Sequence, residues 1–119
     1  RGRHYDGILL DPPKYGRGPK GERWRIESDL VPMLQACRGL LSETPLFLLL
    51  TIYAIRASSQ AAHFAMADIV AALGGEVTSG ELVIVEDLPV RTRTVKTQAD
   101  EAISPRVISQ ANFARWTPF

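Results

Sequence analysis

The chain has 119 residues, 45% of them hydrophobic and 23% charged, with a formal net charge of +1. That allows one domain at most, with enough apolar residues for a core and too many for disorder. The single cysteine, Cys37, excludes an internal disulfide framework and a cysteine-rich metal site. No apolar run is long enough to span a membrane, the longest falling around Leu46–Ala54. Arg1-Gly2-Arg3-His4 leads into a strand and not into the apolar centre of a signal peptide, so the expected compartment is the cytoplasm. The absence of an initiator Met suggests a fragment or a processed chain.

The charge is unevenly placed. Lys14, Arg17, Lys20, Arg23 and Arg25 face only Glu22 within residues 14–25, and Arg91, Arg93 and Lys96 form a second basic tract. Between the two, acids outnumber bases. The near-neutral total therefore hides two local positive segments suited to phosphate contacts.

Tyr5–Leu10 reads as a short buried strand, stopped by Asp11-Pro12-Pro13. The prolines cannot donate to a ladder and hold the chain stiff and extended where it leaves the sheet. In an open α/β sheet ligands bind at the carboxyl ends of strands, so Asp11 stands where a polar group meets a substrate. Lys14 to Ile26 reads as a loop, because Gly16, Gly18, Pro19 and Gly21 act as breakers. Its basic residues, with Tyr15 and Trp24, suit a charged flap that contacts phosphates and stacks a base. The plainer alternative is a solvated loop with Trp24 tucked onto the domain.

A helix is expected from about Asp29, since Pro32 is tolerable only in a first turn, with an apolar stripe through Leu30, Leu34, Cys37 and Leu41. On that stripe Cys37 reads as an ordinary buried thiol. Leu46–Tyr53 is apolar at every position but one and reads as a central parallel strand covered on both faces. Strand, helix and strand make a βαβ unit, which sets Thr51–Arg56 beside Asp11 and Lys14. Ser58 or Ser59 caps a second helix reaching about Leu73, stopped by Gly74-Gly75. Gly80–Glu86 and Val107–Trp116 read as two further strands. The connection between them, about Asp87 to Arg106, is long enough to hold a ribbon of its own. His4 and His63 have no partners at metal-ligand spacing, so no metal is expected.

Asp11-Pro12-Pro13-Lys14-Tyr15 at a strand's end resembles motif IV of class I S-adenosylmethionine-dependent methyltransferases. The Asp-Pro-Pro-Lys-aromatic form, with a Gly- and Lys-rich loop after it, is most similar to the ribosomal-RNA branch. The order of later elements fits, so the resemblance covers nearly the whole chain. It implies a partial Rossmann-like α/β fold, with parallel strands, two crossover helices and a C-terminal antiparallel hairpin. It implies S-adenosylmethionine as cofactor and RNA as substrate. Asp11, Pro12, Pro13 and Lys14 would then be catalytic, with Asp11 also reaching the cofactor, and Tyr15, Arg17, Lys20, Arg23 and Trp24 would bind substrate. In amino-group methyltransferases the acid and the next carbonyl, here Asp11 and Pro12, accept hydrogen bonds from the target amine. Lys14 stands where the family usually has an aromatic residue, and Tyr15 follows it. Related cytosine-carbon methyltransferases carry a Cys at the next strand's exit, which Thr51–Arg56 lacks.

The family's Gly-rich cofactor turn precedes motif IV, and nothing here supplies it, since Gly74-Gly75 follows a helix. Residues 1–119 are therefore expected to form the C-terminal half of one methyltransferase domain, inactive alone. The expected partners are an upstream half or a second copy joined through the first strand. Two readings compete: a catalytically silent RNA-binding α/β module, and another α/β domain whose Asp-Pro-Pro is only a rigid turn.

Overall fold

A computed structural model of the protein describes residues 2–53, 55–86 and 105–119. Its elements run β1 (Gly7–Leu10), β2 (Tyr15–Arg17), β3 (Arg23–Arg25), α1 (Ile26–Arg38), β4 (Phe47–Ile52) and α2 (Ser59–Val70). A 3-10 turn (Ala71–Leu73), β5 (Glu76–Val85) and β6 (Val107–Thr117) follow. One four-stranded sheet has the order β1-β4-β6-β5, and β2 and β3 form a separate ribbon. β1 and β4 are parallel, in register from Gly7 against Phe47 to Leu10 against Leu50. β6 lies antiparallel between β4 and β5. The fold is α/β, with parallel strands bridged by helices and a C-terminal antiparallel pair, as the sequence leads one to expect.

Period-2 alternation places the core. Leu48, Leu50 and Ile52 of β4 are buried while Phe47, Leu49 and Thr51 are half-buried. Across the ladder Leu50 meets Ala114 and Leu48 meets Trp116. These side chains join Leu34 of α1 and Met66, Ile69 and Val70 of α2 in one cluster. Each fully buried Leu or Met contributes roughly 1.5–3 kcal/mol. Both described helices thus cover one face of the sheet, and among the described residues no helix covers the other face of β4, where two-sided cover was expected. On the other face Leu9 is 64% exposed. The rings of Phe47 and Phe113 lie there over glycines. A Cβ at Gly7 would come within 2.6 Å of Phe47, and one at Gly80 within 3.2 Å of Phe113.

Several boundaries move. β1 begins at Gly7, Tyr5 keeping only an isolated parallel bridge to Leu41. α1 starts at Ile26 and carries Pro32 in its interior. Asp29 lies inside the first turn, and its Oδ2 accepts the backbone N–H of Arg25, the N-cap residue, at 2.7 Å. The acid reaches back along the first turn as in a capping box. Pro32 is exposed, so the Ser28 carbonyl it leaves without an amide donor opens to water. β5 starts at Glu76, directly after Gly74 (φ 68°) and Gly75 (φ 84°), a turn left-handed enough to require glycine. Trp116 Nε1 donates to the Gly74 carbonyl at 2.8 Å and ties that turn to β6. The second basic tract, Arg91, Arg93 and Lys96, lies outside the described residues. So does nearly all of the connection expected to hold a ribbon.

Candidate functional site

The site is built where β1 ends. Asp11 is exposed and directly follows Leu10, the partner of Leu50, so Thr51 of β4 stands beside it. The Thr51 hydroxyl donates to Asp11 Oδ1 at 2.6 Å and has the Leu10 carbonyl at 3.3 Å as its alternative acceptor. The short contact to the carboxylate takes the proton, being the stronger, charge-assisted bond. Pro12 is buried and anchors the turn. The Pro13 carbonyl accepts Trp24 Nε1–H at 2.7 Å, and the Lys14 carbonyl accepts the Ile26 N–H at 3.0 Å. Asp11 Oδ2 and the Pro12 carbonyl have no donor among the described residues. The turn therefore leaves an exposed carboxylate oxygen and a neighbouring backbone carbonyl without described donors at the strand's exit.

The segment after the turn is not the irregular loop expected. Tyr15 pairs with Arg25, Gly16 with Trp24 and Arg17 with Arg23 in an antiparallel ribbon. Three of the residues read as breakers, Gly18, Pro19 and Gly21, make its turn, while Gly16 lies within the ladder. The Gly21 N–H donates to the Gly18 carbonyl at 3.1 Å, and the Gly18 N–H donates to the Glu22 carbonyl at 2.9 Å. Pro19 sits at the first central position, where its fixed φ helps, and Gly21 takes φ 86°. The Glu22 carboxylate accepts the Lys20 backbone N–H at 2.9 Å, closing the tip.

Register then separates the candidate substrate contacts. Trp24 turns inward, packs against the core and spends its N–H on Pro13, the tucked arrangement that is the plainer of the two expectations for it. Tyr15 is the available ring, 77% exposed. Arg17 and Arg23 share its face of the ribbon, as does Arg25, which was expected in the basic segment but not among the substrate-binding residues. Period-2 spacing through Arg23-Trp24-Arg25 was the signal for it. Lys20 lies at the tip, away from Asp11. A recess of about 560 Å³, lined by Lys14, Tyr15, Arg25, Glu27 and Ser28, opens beside the ribbon's root.

Cys37 is buried in α1, and desolvation raises its thiol above the ordinary range. A protonated, covered thiol is a poor nucleophile, in keeping with a core role. Among the described residues no group of three His, Cys, Asp or Glu side chains could hold a metal ion. No described helix is long and apolar enough to cross a membrane.

Neither a protein-family model nor a curated protein matches the sequence. Among solved structures, the SAM-dependent methyltransferase from Agrobacterium tumefaciens matches at 43% identity with a TM-score of 0.81. This chain is similar to a SAM-dependent methyltransferase. The match covers 99% of this chain and 34% of that one, so the chain spans about a third of its relative's length. A precorrin 8W decarboxylase from Methanobacterium thermoautotrophicum matches at 12% identity, with TM-score 0.46, over 96% of this chain and 45% of that one. A protein solved in complex with SAH matches at 20% identity, with TM-score 0.48, over 97% and 27%. With TM-scores below 0.5, neither bears on the fold. The α/β fold expected from the Asp-Pro-Pro resemblance agrees with the first match.

Proposed function

We propose that this chain is the C-terminal, target-facing part of a class I S-adenosylmethionine-dependent methyltransferase domain whose substrate is RNA. The observation that carries the reading is the strand-exit turn. Asp11 is exposed and held at one oxygen by Thr51, which leaves its second oxygen without a described donor. The similarity to a SAM-dependent methyltransferase over 99% of the chain supports it.

The chain's own residues do a limited set of things. Methyl transfer from a sulfonium is an in-line displacement that demands positioning and exclusion of water. Asp11 Oδ2 and the Pro12 carbonyl accept hydrogen bonds from an N–H group of the target base and aim its lone pair. Thr51 keeps the carboxylate from turning away. The Trp24 and Ile26 bonds hold Pro13 and Lys14 so that the turn does not swing. No thiol stands at the exit of β4, which disfavours a covalent cytosine mechanism.

The described residues fit only one side of the cofactor. No described strand leads through a glycine turn of positive φ into a helix. Gly21 closes the ribbon, and Gly74 and Gly75 lead into β5. Asp11 can face a bound S-adenosylmethionine, but a cradle must come from residues outside this chain. The expected result is weak or absent binding when S-adenosylmethionine is titrated calorimetrically into the 119-residue chain, and binding to a chain extended upstream along its coding sequence. Sub-micromolar affinity of the short chain would refute the partial-domain reading.

A further inference from the structure

The ribbon's outward face holds four side chains that the fold itself does not use. Tyr15 lies directly opposite Arg25, and Arg17 directly opposite Arg23. Gly16 and Trp24 take the other face, and Trp24 fixes that one against the domain. All four outward residues are exposed. Among the described residues the one ion pair joins Arg106 to Glu86, so none of these guanidinium groups is neutralised by a described carboxylate. Asp29 takes the Arg25 backbone N–H and Glu22 takes that of Lys20. Like charges set directly across a ladder repel, and the Arg17–Arg23 pair therefore works against the ribbon until an anion bridges it.

We infer that this face is a track for single-stranded RNA, leading the strand across Arg23, Arg17 and Arg25 to the acceptors at Asp11. The inference rests on the RNA reading of the site and adds where, and in what form, the RNA lies. Geometry favours an unpaired strand. Successive same-face residues on a β-strand stand about 6.5 Å apart, so the face is only about two residues long and two wide. The ring of Tyr15 can stack only on a base that is free of a helix, whereas the deep, narrow major groove of duplex RNA admits no such side chain. Tyr15 and Arg25 stand at the root, beside the Lys14-lined recess, and Arg17 and Arg23 nearer the tip. A base flanking the target would stack on Tyr15 while its phosphates pass over the arginines.

The test is fluorescence anisotropy of the 119-residue chain with a short labelled single-stranded RNA, and with the duplex of the same sequence, over a salt series. Each lost phosphate contact lowers the slope of log K against log salt by about 0.7 for single strands. Arg17→Gln, Arg23→Gln and Arg25→Gln combined should lower it by about 2. The corresponding Arg→Lys variants should keep the slope. Tyr15→Ala should weaken binding about 5- to 150-fold with the slope unchanged, since stacking releases no counterions. Far-ultraviolet circular dichroism should stay at wild-type values, and the melting midpoint at or slightly above them, because these side chains are exposed and the arginine variants relieve the Arg17–Arg23 repulsion. RNA binding that the four substitutions leave untouched overturns the track and leaves the RNA reading standing. Duplex bound as tightly as single strand also overturns it. If wild type binds neither RNA, the track and the RNA reading fall together.

Discussion

Thr51→Val probes how Asp11 is held. The substitution keeps the branched shape that suits a strand and removes only the hydroxyl, which donates to Asp11 Oδ1 at 2.6 Å. A hydrogen bond to a charged group is worth about 1.5–3 kcal/mol when shielded. Asp11 is exposed, so water replaces much of the lost donor, and about 1 kcal/mol of positioning remains. At 1.36 kcal/mol per tenfold in rate, kcat should fall by about fivefold. KM should change little, because the ring and phosphate contacts lie on the ribbon. The assay is steady-state methyl transfer by the upstream-extended chain, with Thr51→Ser as a control that restores the hydroxyl. A Thr51→Val enzyme with wild-type kcat, or a Thr51→Ser enzyme just as impaired, would refute the role given to Thr51.

Trp24→Phe keeps a ring against the core but removes the donor to Pro13; stability should drop by about 1 kcal/mol in urea denaturation, and the Ile26 amide should exchange faster. Leu9→Lys should abolish self-association of the 119-residue chain in light scattering, because β1 is a sheet edge with Leu9 64% exposed; a monomer at every concentration without the substitution would contradict this. The Arg106 guanidinium donates twice to Glu86 and holds its carboxyl below the ordinary value of 4.5. The folded form therefore binds this proton less readily than the unfolded form. The clamp at the end of β5 and β6 is complete above pH 4.5 and is lost as pH falls through the lowered folded value. Contacts between Val85 and Val107 in nuclear Overhauser spectra should weaken in that acid range and not above it.

The βαβ unit was legible because apolar runs ended in unambiguous punctuation. Ile8–Leu10 stops at Asp11-Pro12-Pro13, and α2 stops at Gly74-Gly75 after its 3-10 turn. The ribbon was not legible, because glycine and proline were read as breakers when Pro19 and Gly21 are what its tight turn requires. Without the ribbon's register the sequence left Trp24 between stacking outward and tucking inward, since only register separates it from Arg23 and Arg25. The start of α1 was misplaced by treating Pro32 as a first-turn residue, although an exposed proline can sit deeper where water takes the freed carbonyl. That both described helices lie on one face of the sheet was hidden for a different reason. Phe47 and Leu49 are as apolar as Leu48 and Leu50, and composition does not say which face the helices cover. The placing of Asp11 at a strand's exit was visible from the sequence; that Thr51 donates to it needed coordinates.

Asp11→Ala tests the central claim most directly. It is measured as transfer of a labelled methyl group from S-adenosylmethionine to ribosomal RNA by the upstream-extended chain. Asp11 is exposed and its one described side-chain bond is to Thr51, so the melting midpoint should hold within the effect of a surface substitution. The account predicts that kcat falls by at least about tenfold, with S-adenosylmethionine affinity altered far less. Transfer within a factor of about two of wild type, in a folded protein, would mean that Asp11 is a turn residue and that the chemistry lies elsewhere.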